Sequence, residues 1–474
     1  MSSYHPFRTL PRRFGLVLTS FLQRPGLPFA DVISEESIQT AFDDEGVSFA
    51  RDENAVYTPA VTLWAFLSQV LFKDEHRSCI AAVARVVVLW VAVKRGPCSG
   101  NTGAYCRARA KLSEGVLHRL AADVADGCER QVDTTWLWHD RHVHLVDGTT
   151  VSMPDTKANQ AEYPQHPRQP ERLGFPIARI AVLLSLATGM VADMALGPYT
   201  GKKTGETALL RQLLDRFKPG DILLADRYYC SFFMIALLME RGVDVVTRIH
   251  QRRPIDFRCG RRLGQGDHVV EWSRPAKPTW MDQPTYDRMP ESIEIREVHV
   301  HVEQPGYRVG SFVVVTTLTD AEKYSRDDIA QLYHFRWMAE LDIGAIKTTM
   351  GMDILRCKTP RMIRKEMWTC LLAYNLIRRA MLQSAQASGQ SPRHLSFAAA
   401  LQAIAANWQV ILFSEDSIAA DLVDVALANL AGHTVGDRPG RIEPRAVKRR
   451  PKPHPLLTQP RDQARAQLLE ARSS

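Results

Sequence analysis

At His142 the hydrophobic period of this chain changes from that of a helix to that of a strand, and the next hundred or so residues leave few folds open. The run His142-Val-His-Leu-Val-Asp-Gly-Thr-Thr-Val-Ser-Met has a period of two and reads as a strand that ends or bends around Asp147, an acid followed by Gly148. Two apolar runs, Ile180 to Leu186 and Met190 to Leu196, flank Ala-Thr-Gly189 as a hairpin. A helix begins at Gly205, and after Gly220 the short apolar strand Asp221-Ile-Leu-Leu-Ala delivers Asp226 at its C-terminal end. A helix of about Ser231 to Arg241 and a strand from Val243 to Ile249 complete the order. Strand, hairpin, helix, strand, helix, strand implies a mixed sheet covered by helices.

The flanks have other textures. Residues 1–140 are helical in pattern, with a helix from about Val61 to Lys73 and a buried helix from Ile80 to Val93. Thr102 is placed to cap a short basic helix, Ala104 to Leu112, carrying Arg107, Arg109 and Lys111, and Ser113 to cap another reaching about Ala125. This helix-turn-helix arrangement suits phosphate contacts, and a solvated basic face reads the same way. Residues 251–310, rich in Arg and Pro with short strand patterns, look like a β-rich insertion, after which the strand from Ser311 returns to the sheet. The expected units are therefore 1–140 (helical, DNA-binding), 141–250 with 311–380 (the core), 251–310 (the insertion), 381–435 (helical) and 436–474 (a basic, Pro-rich tail). The tail's seven cations, from Arg438 to Lys452, fit either an extended DNA clamp or a solubilising tail.

A chain of 474 residues with a net charge of +8 and 45% hydrophobic residues is ordinary for a globular protein, and its basicity favours a polyanionic partner. The eight cysteines form no close Cys-x-x-Cys pair, which argues against a zinc ribbon or a disulfide framework. The N-terminus has no basic segment followed by an apolar core, and the longest apolar run is broken by Arg85 and too short for a bilayer of about 30 Å. The expectation is a cytoplasmic protein with no membrane partner. His139, His142 and His144 lack a nearby fourth ligand and read as structural. Lys202-Lys-Thr-Gly-Glu206 lacks the glycine spacing of a phosphate loop, so ATP binding is discarded.

The most unusual stretch lies later, at Tyr333-His-Phe-Arg336-Trp-Met-Ala-Glu340-Leu-Asp-Ile-Gly-Ala-Ile-Lys347. On one helix Arg336, Glu340 and Lys347 fall within roughly 60° of Tyr333, while Leu332, Ala339, Ile343 and Ile346 cluster beside them. Ser325 with Asp328 reads as a capping box at the start, and Gly351 lies near the end. An amphipathic surface helix would share this spacing. Singly, Asp147 could be a turn residue and Asp226 half of a surface ion pair. Together, two aspartates at strand ends and a glutamate on a later helix are what two-metal phosphoryl transfer requires, because hard Mg²⁺ prefers carboxylate oxygens and retains waters.

Tyr333, Arg336, Glu340 and Lys347 meet in full the Tyr-x2-Arg-x3-Glu-x6-Lys signature of the DDE transposases of insertion-sequence family four. The resemblance extends to Asp147-Gly148-Thr, to Asp226-Arg227 and to the insertion, and covers roughly residues 140–360. It implies an RNase H-like core of class α/β with helical flanks. Asp147, Asp226 and Glu340 would be the catalytic acids holding two Mg²⁺ ions, with Mn²⁺ able to substitute, and Tyr333, Arg336 and Lys347 would contact DNA phosphates. The implied activity is cut-and-paste transposition on double-stranded DNA, both terminal inverted repeats and target. A dimer in the synaptic complex and a bacterial cytoplasm, at the nucleoid when bound to DNA, are implied too. The alternatives are a nuclease of the same fold without strand transfer and an inactive, domesticated DNA-binding protein. Family members can pass through a DNA hairpin with a flipped base stacked on a tryptophan of the insertion, a place Trp272 or Trp280 could fill. Arg227 and Arg248 are further candidate DNA contacts, with a solvated face as the alternative for Arg248.

Overall fold

The computed structural model describes residues 35–44, 46, 55–71, 77–92, 96–201, 204–301, 311–413, 416–436 and 455–473. The tail cations from Arg438 to Lys452, and Lys202 and Lys203, lie outside these residues. Nine strands form one mixed sheet in the order β3-β2-β1-β4-β5-β9-β8-β7-β6. They are β1 (Val143–Ser152), β2 (Ile177–Ser185), β3 (Val191–Pro198), β4 (Ile222–Ala225), β5 (Asp244–Arg248), β6 (Arg261–Gly264), β7 (Asp267–Ser273), β8 (Ser292–His301) and β9 (Ser311–Thr316). β1, β2 and β3 form an antiparallel meander, and β4 and β5 add in parallel beside β1. A meander followed by two parallel crossovers, in the order 3-2-1-4-5, is the RNase H-like sheet.

Helices flank the sheet: α1 (Glu35–Asp44), α2 (Pro59–Leu71), α3 (Cys79–Ala92), α4 (Thr102–Lys111) and α5 (Glu114–Glu129) precede β1. Then come α6 (Lys157–Glu162), α7 (Glu206–Leu210), α8 (Phe232–Met239), α9 (Gln283–Arg288), α10 (Arg326–His334), α11 (Trp337–Gly344), α12 (Pro360–Ser388), α13 (Phe397–Phe413), α14 (Asp416–Ala431) and α15 (Arg461–Ser473). The period of two along the strands feeds two cores. Leu145, Ile180, Val182, Leu184, Leu224 and Val246 point toward α2, α5 and the long α12, while Val146, Ala181, Leu183, Leu223 and Val245 point toward α8 and the segment after α7.

Several boundaries differ from the sequence reading. Asn101, not Thr102, caps α4, its side chain accepting from the Gly103 amide. Helix α3 buries Ala82, Val83, Val86 and Trp90 but exposes Ile80, Val88 and Val91, so it is packed on one face only. The tail carries α15 rather than remaining extended throughout. The strands of 251–310 continue the core sheet, because β9 pairs with β5 on one edge and with β8 on the other. Within this part Arg296 makes a buried bidentate pair with Asp267 at 2.8 and 2.6 Å and donates to the Tyr324 carbonyl at 2.6 Å. That arginine fastens β7 and β8 to the segment that starts α10.

Candidate active site

Asp147 and Asp226 arrive at one level because their strands are neighbours in parallel register, with Val146 opposite Ala225 and each acid one residue further on. Each acid is half-buried and commits one oxygen to the next amide, Asp147 Oδ1 accepting from Gly148 at 2.8 Å and Asp226 Oδ1 from Arg227 at 2.6 Å. Asp226 thereby caps the 3₁₀ turn Arg227–Tyr229.

The third acid comes from α11, which packs over β1. The capping box at Ser325 and Asp328 is formed, with both reciprocal bonds present. The single helix expected over Tyr333–Lys347 is instead two helices and a wider turn. The amides of Phe335 and Arg336 bond three residues back, to Leu332 and Tyr333, which tightens the chain between α10 and α11. Ala345–Thr349 then widens into a π turn, with Met350 N bonding Ala345 O. Leu332, Ala339, Ile343 and Ile346 are buried on the core side. Asp342, one turn before the widening, is buried between Arg378 and Arg393, Arg393 Nη1 lying 2.6 Å from Oδ2. Since Arg393 also donates at 2.6 Å to the carbonyls of Ser185 and Leu186, the helix bearing Glu340 is fixed to the end of β2.

The four signature residues are not one solvent-facing stripe. Tyr333 is buried with its ring 5.1 Å from that of Phe312, and burial pushes its phenol far up. Arg336 donates to Glu340 Oε1 at 2.7 Å, and Lys347 reaches back to β1, its Nζ donating to Thr149 Oγ1 at 2.8 Å. Burial lifts the Asp147 carboxyl to about 6, against the Gly148 amide and the Arg336 charge, while Glu206 and Glu340 push it further up. Arg336 holds its proton more tightly than usual: burial opposes this, but the bond to Glu340 and the fields of Tyr333, Glu340 and Asp226 outweigh it.

Two aspartates and a glutamate are hard oxygen donors, the right chemistry for a divalent cation. Glu340 is held by Arg336, however, and among the described residues no three His, Cys, Asp or Glu side chains converge closely enough to hold a metal ion.

The remaining candidates separate. Arg107 and Lys111 are exposed on α4, whereas Arg109 is turned inward, donating to Gln69 at 2.9 Å with its guanidinium against the rings of Phe66 and Tyr105. Arg109 is thus part of the helical core, because Gln69 offers its carbonyl oxygen there. Arg227 reaches Gln251 at 3.3 Å, and Arg248 lies over the Phe312 ring beside Tyr333. Trp272 is a core residue, 4% exposed, donating to Glu297 at 3.2 Å under the Arg253 guanidinium. Trp280 is half-buried with Arg211 stacked 3.9 Å from its ring. His139, His142 and His144 each face a separate acid, Asp328, Glu129 and Asp221, as structural histidines do. No helix among the described residues is long and apolar enough to cross a membrane.

Sequence reasoning overlooked Glu206 at the start of α7, Tyr229 behind the acids and Thr149 under Lys347. An acid in the first turn of a helix is ordinarily a dipole partner, so Glu206 carried no distinguishing signal.

The family model described as the transposase DDE domain matches residues 138–376, a span containing all three acids and the four signature residues. The chain is 28% identical over 279 residues to the transposase InsG for insertion sequence element IS4 of Escherichia coli (strain K12), covering 56% of this chain. The match spans about 60% of that relative's length. Among solved structures it is similar to the cryo-EM structure of the piggyBac transposase synaptic complex with hairpin DNA, at 11% identity and a TM-score of 0.42, over 90% of this chain and 88% of that one. With half of its length matched by the DDE domain, this chain belongs to the DDE transposase family.

Proposed function

We propose that this protein is a transposase that hydrolyses the phosphodiester at each end of an insertion sequence and joins the freed 3′-hydroxyl to target DNA. The observation that carries the reading is the parallel register of β1 and β4, which brings Asp147, midway along β1, level with Asp226, just past the end of β4, beneath the helix that supplies Glu340. Asp147, Asp226 and Glu340 would hold the divalent cations that DDE domains use, here two Mg²⁺, whose chemistry is to activate the attacking oxygen and stabilise the departing one. Tyr333, Arg336 and Lys347 would bind the phosphates next to the cleaved bond and hold the backbone in line. Arg336 has both duties within reach, because the ion pair that now neutralises Glu340 can be exchanged for a phosphate. Exposed Arg107 and Lys111, with Arg227 and Arg248, are proposed to track more distant phosphates. The partners are terminal inverted repeats and target DNA, bound by a dimer in a bacterial cytoplasm.

The test is incubation of the full chain with its terminal-repeat DNA and Mg²⁺ or Mn²⁺. Nicked and joined products are expected from the parent and none from Glu340→Gln. Equal cleavage by Glu340→Gln would refute the assignment, and cleavage without joined products would reduce it to a nuclease.

A further inference from the structure

A cavity of about 150 Å³ lies where the N-terminal helices meet the chain leading into α12. Its walls come from α2 (Phe66, Gln69), the turn before α3 (Arg77, Ser78), α4 (Arg109) and the stretch before α12 (Arg356). Since one water takes up about 30 Å³ of liquid, the space holds a group the size of roughly five waters. None of the acids Asp147, Asp226 and Glu340 lines it.

The lining is cationic. Three guanidiniums meet a single carboxylate, Glu366, so two positive charges are left over. Glu366 is already engaged: it accepts from the amides of Arg356 at 3.0 Å and Cys357 at 2.8 Å and lies 3.5 Å from Arg77 Nη2. Among the described residues no carboxylate pairs with Arg109 or Arg356. Arg109 bonds to the neutral Gln69 instead, and its guanidinium sits 5.0 and 5.4 Å from the rings of Phe66 and Tyr105. Two donors of these arginines are also unanswered, since Arg77 Nη2 and Arg109 Nε are buried without a hydrogen-bond partner, and Arg77 as a whole is 7% exposed. Water in the cavity would supply acceptors but would leave the two charges uncompensated, whereas an anion answers both needs.

The wall is set before anything binds. Gln69 Nε2 donates to the Arg77 carbonyl at 2.8 Å, while its Oε1 receives Arg109 at 2.9 Å and the Tyr105 hydroxyl. A guanidinium held flat in this way presents paired N–H groups that match a tetrahedral oxyanion. Ser78 Oγ accepts from the Ala81 amide at 3.1 Å, which leaves its O–H to donate. The exposed Arg356 forms the rim.

We infer that this cavity is an anion site that takes a phosphate group, either free or carried on DNA. It shares no residue with the three acids and does not depend on the reading given to them.

The experiment titrates the DNA-free full chain with inorganic phosphate at constant ionic strength. It follows binding heat, thermal melting and the alkylation of Cys79, which lines the cavity, with the exposed Cys259 as the internal reference. Phosphate should bind saturably, raise the melting temperature and slow alkylation of Cys79 while leaving that of Cys259 unchanged. Arg356→Gln, on the exposed rim and so least able to disturb folding, should weaken phosphate binding about tenfold, the scale of one charge-assisted hydrogen bond. Arg109→Gln should weaken it at least as much, its melting curve showing whether the fold is kept. Arg361→Gln removes an exposed cation of α12 that does not line the cavity and should bind phosphate as the parent does. No saturable binding by the parent, equal alkylation of Cys79 with and without phosphate, or equal losses in Arg356→Gln and Arg361→Gln would overturn the inference. Duplex DNA then identifies the source. If it expels phosphate and protects Cys79 in its place, the group belongs to DNA; if both bind together, the site serves a free ion.

Discussion

Arg336 and Glu340, one helical turn apart, are joined by a 2.7 Å ion pair in which the acid is the more exposed partner, at 43% against 22%. The pair sits in the field of Asp147, so the same guanidinium restrains two acids at once. Removing it should loosen that restraint. Arg336→Gln is expected to bind Mn²⁺ roughly threefold more tightly without DNA, the scale of an ion pair worth about 0.5–1 kcal/mol. The same variant should bind terminal-repeat DNA less well and cleave it poorly. Metal titration and gel shift on one preparation check both arms, and weaker Mn²⁺ binding would contradict the restraint.

Asp147 makes a pH signature. Burial raises its carboxyl from 3.8 to about 6, so the fold disfavours the charged form. The metal-free protein therefore loses stability as pH climbs from about 4 to about 6, and the loss is complete above that window. Asp147→Asn should remove this penalty, stabilising the protein in EDTA at pH 8 by on the order of 1–3 kcal/mol and hardly at all at pH 4. Denaturant unfolding at the two pH values measures it. A divalent ion competes with the same proton, so Mn²⁺ affinity should decline as pH falls below about 6.

Asp342 is two residues from Glu340 yet serves the fold. It is 1% exposed and carries the charges of both Arg378 and Arg393. Asp342→Asn leaves two guanidiniums without a counter-charge and should destabilise the protein by about 3–5 kcal/mol. A urea midpoint close to the parent's would refute the pairing.

Trp272 offers a comparison with the base-stacking idea. Its indole donates to Glu297, whose other oxygen lies 3.0 Å from His268 Nε2. Trp272→Phe should cost about 1–2 kcal/mol by leaving one Glu297 oxygen unpaired, and Trp272→Ala about 3–5 kcal/mol through the lost core volume. Both are read from chemical unfolding, and unchanged stability of Trp272→Ala would remove it from the core.

Lys347→Ala should lower affinity for terminal-repeat DNA while leaving Mn²⁺ affinity intact, with the salt slope of binding reduced by about 1 if one phosphate contact is lost. An unchanged slope would mean that Thr149, not DNA, is the amine's partner.

The strands that hold Asp147 and Asp226 were legible because period-two and short apolar runs are local properties, and their succession implied a mixed sheet; its order, and the run of β1 straight through Asp147 to Ser152, depend on pairing with β2 and β4. The helix at Glu340 was legible in its caps and its buried side but not in its continuity. Its tightening at Phe335–Arg336 and its π turn lie at either end of the segment held by Asp342, Arg378 and Arg393, residues far apart in the chain. Glu206 was illegible for a similar reason: the helix it opens is close to Gly148 of β1 only in the folded chain. Trp272 was ambiguous because an aromatic on an alternating strand suits a core and a binding surface equally, and only Glu297 on β8 decides it.

The unbroken hydrogen bonding from β3 to β6 has a mechanical consequence. Four strand steps separate β4, which carries Asp226 at its end, from β7, which carries Trp272, and at about 4.8 Å per step this makes roughly 19 Å of stiff plate. Anything gripped by the outer strands is therefore measured against the acids by a ruler rather than offered on a tether.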